Sequence, residues 1–185
     1  MATTPKKPVA RLEVKKTYKL YINGAFPRSE SGRVYEVLTS KGVSVANPSL
    51  ASRKDLRDAV VAARAAQSGW AKATAYNRGQ ILYRIAEMLE GRTDQLATEI
   101  SLATGVTSKK ARDEVLAAID RWVWMAGWSD KLSAAFGSTN PVSGPYYNFT
   151  IPEPQGVIAV APAESFLAFI DAIAPAIVSG NTVVA

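Results

Sequence analysis

The chain has 185 residues, 48% of them apolar, with 22 Lys and Arg against 16 Asp and Glu and a net charge of +6. That is the length of about one domain and the composition of an ordinary globular protein. Cysteine and histidine are both absent, which excludes thiolate nucleophiles, disulfides, imidazole bases and the commonest soft-metal ligands from these residues. No apolar run reaches the ~18 uninterrupted residues of a membrane span, and the basic start from Met1 to Lys16 lacks the apolar centre of a secretory signal; a cytoplasmic protein without membrane contact is expected.

The positive charge invites a nucleic-acid partner, but its distribution argues against one. Five of the 22 basic residues (Lys6, Lys7, Arg11, Lys15 and Lys16) lie in the leader, and the rest alternate with acids along helical patterns, as on a solvated face. Residues 1–17 are therefore read as a basic, disordered leader and nucleic acid is not expected as a partner. Residues 18–139 follow as short strands and a helical segment. Tyr18 to Ile22, Asn23-Gly24 and Ala25-Phe26 form a hairpin signal, because both central residues of a type I′ turn need positive φ. Ser31-Gly32 marks another turn before Val34 to Val37, and Asn47-Pro48 closes this part.

Ser52 with Asp55 three residues on predicts a capped helix running to about Gln67, before Gly69, with Leu56, Ala59, Val60, Ala63 and Ala66 on its inner face. A second helix is predicted from about Thr74 to Glu90, burying Ile81, Leu82, Ile85, Met88 and Leu89 and stopped by Gly91. A third covers Thr93 to Thr104 before Gly105, and a fourth, capped by Ser108, turns Val115, Ile119, Trp122 and Met125 inward. Trp122, Trp124 and Trp128 could stack nucleobases, but their helical spacing and the mixed charges around them favour core packing. From 140 to 155 the texture changes to Pro, Gly and aromatic β-formers, Tyr146 to Ile151 among them, and an extended oligomerisation-type arm is expected.

Residues 156–185 carry the most information. Val157 to Ala161 has the length of a buried strand, Phe166 to Val178 reads as an apolar helix stopped by Gly180, and Thr182 to Ala185 begins another strand. This is a βαβ unit whose second strand is cut short. Ligands of open α/β sheets sit at the carboxyl ends of strands, beside Pro162, Ala163, Glu164 and Ser165 here. No glycine-rich dinucleotide fingerprint follows the first strand.

Several pieces together are similar to the N-terminal portion of aldehyde dehydrogenases: Tyr21-Ile22-Asn23-Gly24-Ala25-Phe26, Ala46-Asn47-Pro48, Ala59 to Arg64 with Gly69-Trp70, Asn77 to Leu82 leading to Ala86 to Leu89, Glu153 to Val157, and Ile173 to Ala176 running into Gly180 to Val184. The resemblance covers nearly all the chain after the leader and well under half of the family's usual length. It implies an α/β fold, the helix-rich N-terminal part of a Rossmann-type domain with its parallel sheet truncated. It implies NAD or NADP as cofactor and a chemistry in which a cysteine thiolate attacks an aldehyde, hydride passes to the cofactor, and glutamate-activated water releases the acid. The thiol, that glutamate and a cofactor-binding lysine beyond the second strand have no counterpart in this sequence. Of the family's cofactor-side positions only Val160, Ala161 and Pro162 carry over.

The family usually has Pro-Trp-Asn in the loop after the first strand, its asparagine donating to the oxyanion. Here no asparagine lies between Asn148 and Asn181. The segment from Gly156 to Pro175 is slightly shorter than the family's, which leaves open whether Ala163, Glu164 or Ser165 takes that place. Glu164 and Ser165 are the candidate oxyanion-loop residues. The resemblance thus implies a fragment of an NAD(P)-dependent aldehyde oxidoreductase, inactive alone. The alternative is a non-catalytic member serving as a structural or oligomerisation partner. The partners implied are a second copy of the chain or a paralogous aldehyde dehydrogenase subunit, with an aldehyde as the family's substrate.

Overall fold

The computed structural model describes residues 15–39, 41–161 and 164–185. Most of the predicted leader, together with Pro162 and Ala163, lies outside these. Ile22 and Ala25 exchange two backbone bonds of 3.0 Å around Asn23 (φ 52°) and Gly24 (φ 74°), the pair of positive dihedrals a type I′ turn requires. Strands β1 (Val37–Leu38) and β2 (Ser44–Ala46) pair antiparallel. The chain from Lys16 to Tyr18 runs beside 46–49, where the Lys16 and Tyr18 carbonyls accept from the Asn47 and Ser49 amides at 2.9 and 2.8 Å.

Helix α1 (Arg53–Lys72) starts at the capping box read in the sequence. The Asp55 carboxylate accepts from the Ser52 amide at 2.8 Å and also from the Ser29 hydroxyl at 2.6 Å, so the cap ties the preceding turn to the helix. Its far end differs from the prediction, because α1 passes through Gly69 to Lys72. A mid-helix glycine costs about 1 kcal/mol. Trp70, just beyond it, is anchored by its indole N–H on the Ile177 carbonyl at 2.9 Å, a tertiary bond worth a similar amount. The predicted inner face is also only partly covered: Ala59 and Ala63 are half-buried, whereas Ala66 is exposed and Leu56 is 55% exposed.

Helices α2 (Ala75–Glu90) and α3 (Thr93–Thr104) both pack on α4 (Ser108–Ala126), which is followed by the short α5 (Leu132–Phe136). Thr107, not Ser108, caps α4, its hydroxyl accepting from the Lys110 amide. The core joins Leu82 and Ala86 to Ala111, Val115, Ala118, Ile119 and Trp122 of α4. On α2 the buried stripe is narrow, Gly79, Leu82 and Ala86, because Gly79 lets the end of α4 approach so closely that a Cβ there would lie 3.2 Å from the Ala126 carbonyl oxygen. Ile81 and Met88 stand off that stripe and are about half exposed (49% and 48%), against expectation. Trp122 is in the core as predicted. Trp124 is 59% exposed, since two residues at ~100° each carry it round the helix; it meets Trp128 edge-on, with centroids 6.2 Å apart.

Strands β3 (Ser138–Asn140) and β4 (Asn148–Thr150) pair with each other in register Ser138↔Thr150 and Asn140↔Asn148. The predicted extended arm is thus a two-stranded ribbon closed on itself, with Tyr146 and Tyr147 exposed at its end. Strand β5 (Val157–Ala159), helix α6 (Phe166–Val178) and strand β6 (Thr182–Val184) make the predicted parallel βαβ unit, in register Val157↔Thr182 and Ala159↔Val184. Ile170, Ala174 and Val178 turn one face of α6 into the core shared with α2 and α4. No described helix is long and apolar enough to cross a membrane.

Candidate functional site

The βαβ unit is held firmly at the start of its strands. Asn181, buried before β6, accepts the Gly156 amide on its side-chain oxygen at 2.8 Å and donates from its side-chain nitrogen to the Ser179 hydroxyl at 2.9 Å. One side chain thereby ties the beginning of β5 to the turn that begins β6. The Thr182 hydroxyl donates to the Ala63 carbonyl at 3.0 Å, which seats α1 on β6. Arg78 donates from Nε to the Val178 carbonyl at 3.1 Å and from Nη1 to the Ala73 carbonyl at 2.5 Å. Its guanidinium thus joins the ends of α1 and α6 and meets the partial negative charge of both.

The carboxyl ends of the strands are the open side. Val160 continues the ladder, donating to the Val184 carbonyl at 2.9 Å, and is half-buried; Ala161 is exposed. Pro162, the third cofactor-side candidate, lies outside the described residues. Glu164 and Ser165 are both exposed. Ser165 is the N-cap of α6, and its Oγ accepts from the Ala168 amide at 3.1 Å. That bond uses a lone pair of the hydroxyl and leaves its proton free to donate elsewhere. The preceding amide of α6, that of Leu167, donates to Glu114 Oε1 of α4 at 3.1 Å. Sequence reasoning passed over Glu114, because nothing about an acid on the flank of an amphipathic helix marks the distant helix end it will reach.

Beside this end runs an open apolar trough of about 710 Å³ along β6, walled by Ala63 and Trp70 of α1, Phe169 and Ile173 of α6, Val183 of β6, and Tyr21 of the N-terminal hairpin. Among the described residues no group of three or more acidic side chains is placed to hold a metal ion. The site therefore offers a strand end and a capped helix start carrying a hydroxyl and a carboxylate, while the trough is lined by none of Val160, Ala161, Glu164 and Ser165. It offers no activated nucleophile.

Comparison with known proteins places this arrangement. The chain is 38% identical to retinal dehydrogenase 2 of Homo sapiens over 184 residues, 96% of this chain and 35% of that protein. It is 34% identical to cytosolic 10-formyltetrahydrofolate dehydrogenase of Xenopus tropicalis, of which it covers 20%. Among solved structures, the NAD+ complex of an aldehyde dehydrogenase from Bacillus cereus superposes with a TM-score of 0.84 at 27% identity, covering 91% of this chain and 35% of that one. HpcC from Thermus thermophilus superposes with a TM-score of 0.86 at 26% identity, covering 91% of this chain and 33% of that one. The chain thus spans about a third of the length of retinal dehydrogenase 2 and of these two structures. The sequence model of the aldehyde dehydrogenase family matches residues 26–185, a stretch that includes the helical core and the βαβ unit, and on that match the chain belongs to the aldehyde dehydrogenase family.

Proposed function

We propose that this chain is the N-terminal portion of an NAD(P)-dependent aldehyde oxidoreductase and that it does not turn over aldehydes by itself. The observation that carries the reading is the family match over 26–185 in a sequence with no cysteine. The family chemistry needs a thiolate, and a serine hydroxyl without an adjacent base is a poor substitute. Val160, Ala161 and Pro162 are the residues of this chain on the cofactor's side. The described residues do not by themselves fit a whole dinucleotide, because two first-turn amides of α6 are already bonded to Ser165 and Glu114.

On the aldehyde side, Ser165 is the neutral donor of the loop, whereas an ionised Glu164 repels a developing alkoxide. The family's asparagine is missing, and loss of one oxyanion donor costs about 10²–10³ in turnover. A longer protein that supplies the thiol is expected to oxidise simple aldehydes slowly. The direct test uses the purified chain with simple aldehydes and NAD or NADP. No NADH or NADPH should form; reproducible formation above a protein-free control overturns the reading.

A second reading, a structural subunit for another copy or a catalytically competent paralogue, is favoured by the β3–β4 ribbon, where Tyr146 is 78% and Tyr147 75% exposed. Exposed aromatics at the end of a strand pair suit a protein contact. Under this reading the chain co-purifies with a competent family member, and Tyr146→Ala with Tyr147→Ala abolishes the association. Association unaffected by both changes would remove the ribbon from the case.

A further inference from the structure

The first N–H groups of a helix have no acceptor within it, yet two of those heading α6 are bonded. Ala168 donates to Ser165 Oγ, a local cap of the kind any serine at this place provides. Leu167 donates to Glu114 Oε1 at 3.1 Å from another helix, 53 residues away in the chain. Glu114 is half-buried next to the fully buried Val115. Two turns further along α4, Arg121 Nε meets Asp171 Oδ1 at 3.1 Å, one turn beyond Leu167 on α6. Two polar contacts therefore flank the apolar packing of Val115, Ala118, Ile119 and Trp122 against Ile170 and Ala174. Apolar packing tolerates small slides and rotations more readily than a directional bond does. The contact at Glu114 is directional, charge-assisted, and placed where the helix dipole favours an anion.

We infer that Glu114 is a positioning residue for the described end of the β5–α6 loop, Glu164 and Ser165: its carboxylate fixes the Leu167 amide and through it the rotation of the first turn of α6, which sets the direction in which these two residues are presented. The functional meaning rests on the assignment of that loop to the aldehyde side. The positioning itself does not need catalysis to be measured.

The test is amide hydrogen exchange on the full 185-residue chain and on Glu114→Ala, Glu114→Leu, Glu114→Gln and Arg121→Ala. Loss of this acceptor should accelerate exchange at Leu167 by about tenfold in the Ala and Leu variants, the size expected for a charge-assisted bond. Core amides such as that of Leu82 should be unchanged. Gln keeps an acceptor oxygen and should restore most of the protection. If Ala loosens the whole chain, Leu, which keeps the bulk, and Gln carry the same comparison. Unchanged Leu167 exchange in both Ala and Leu variants, or equal acceleration in Arg121→Ala, overturns the proposal. A restored Leu167 in Gln with no effect of loop substitutions on turnover in a longer protein would instead overturn only the assignment of the loop.

Discussion

Gly180 is the tightest point of the chain that leads into β6. Its φ is +91°, and a Cβ built there would lie 2.8 Å from Pro154 Cγ, 3.5 Å from Pro154 Cβ and 3.6 Å from Ala71 Cα. Gly180→Ala therefore meets two separate costs. The left-handed backbone costs an L-residue about 1–2 kcal/mol. Overpacking against a pyrrolidine ring, which cannot swing aside as a lysine tip would, adds about 1–3 kcal/mol. Reduced freedom of the unfolded chain returns at most about 1 kcal/mol, so a net loss of about 1–5 kcal/mol is expected. Pro154→Ala removes Cγ and leaves Cβ at 3.5 Å, an ordinary contact. The double variant should therefore recover the overpacking share, a coupling of about 1–3 kcal/mol, and retain the backbone share. Urea unfolding of the wild type, both single variants and the double variant closes the cycle. Tryptophan fluorescence is a suitable probe, because the Trp70 indole bonds the Ile177 carbonyl, close to the substitution. Gly180→Ala within about 0.5 kcal/mol of the wild type, the size of a neutral surface change, or no recovery with Pro154→Ala, would refute the reasoning.

Two further outcomes follow from the cap and the core. The Ser29 hydroxyl, and after it the Ser52 amide, hold the Asp55 carboxyl down from 3.8 to about 2. A depressed folded-state value means that the stabilisation is fully present above pH 3.8 and is lost as the pH falls toward about 2. Asp55→Asn should be less stable than the wild type at neutral pH, and the gap should close with acidification through that window; a gap independent of pH shows that the charge is not what matters. Leu82 is fully buried, so Leu82→Ala should cost about 2–5 kcal/mol in the same unfolding assay, the cost rising with the cavity left behind. A loss below about 1 kcal/mol would mean that α2 closes onto α4 around the gap.

Much of the fold was legible because its signals are local. Asn23-Gly24 can adopt two successive positive dihedrals, Ser52 and Asp55 satisfy each other's backbone amides, and Gly105 ends α3 with φ 76°. Each of these is settled within four residues, and each stands where the sequence placed it. The βαβ unit was legible for a similar reason, since an unbroken apolar run between turn residues has few alternatives in a chain of this length. At the site, the place of Glu164 and Ser165 just before α6 could be read in advance; the bonds that decide what they can do could not.

The sequence by itself determined the start of α1 at its capping box, the Asn23-Gly24 turn, the order of the elements, the family, and the absence of a thiol, because each depends on residue identity or on interactions within one turn. Tertiary structure decided the rest. It carried α1 through Gly69, because Trp70 finds the Ile177 carbonyl; it left Trp124 in solvent while burying Trp122, because α4 has only one face against α2 and α6; and it gave the Leu167 amide to Glu114. In each case the partner lies on a different helix, and which groups come within hydrogen-bond or packing distance is fixed only when the helices have docked and water has left the space between them.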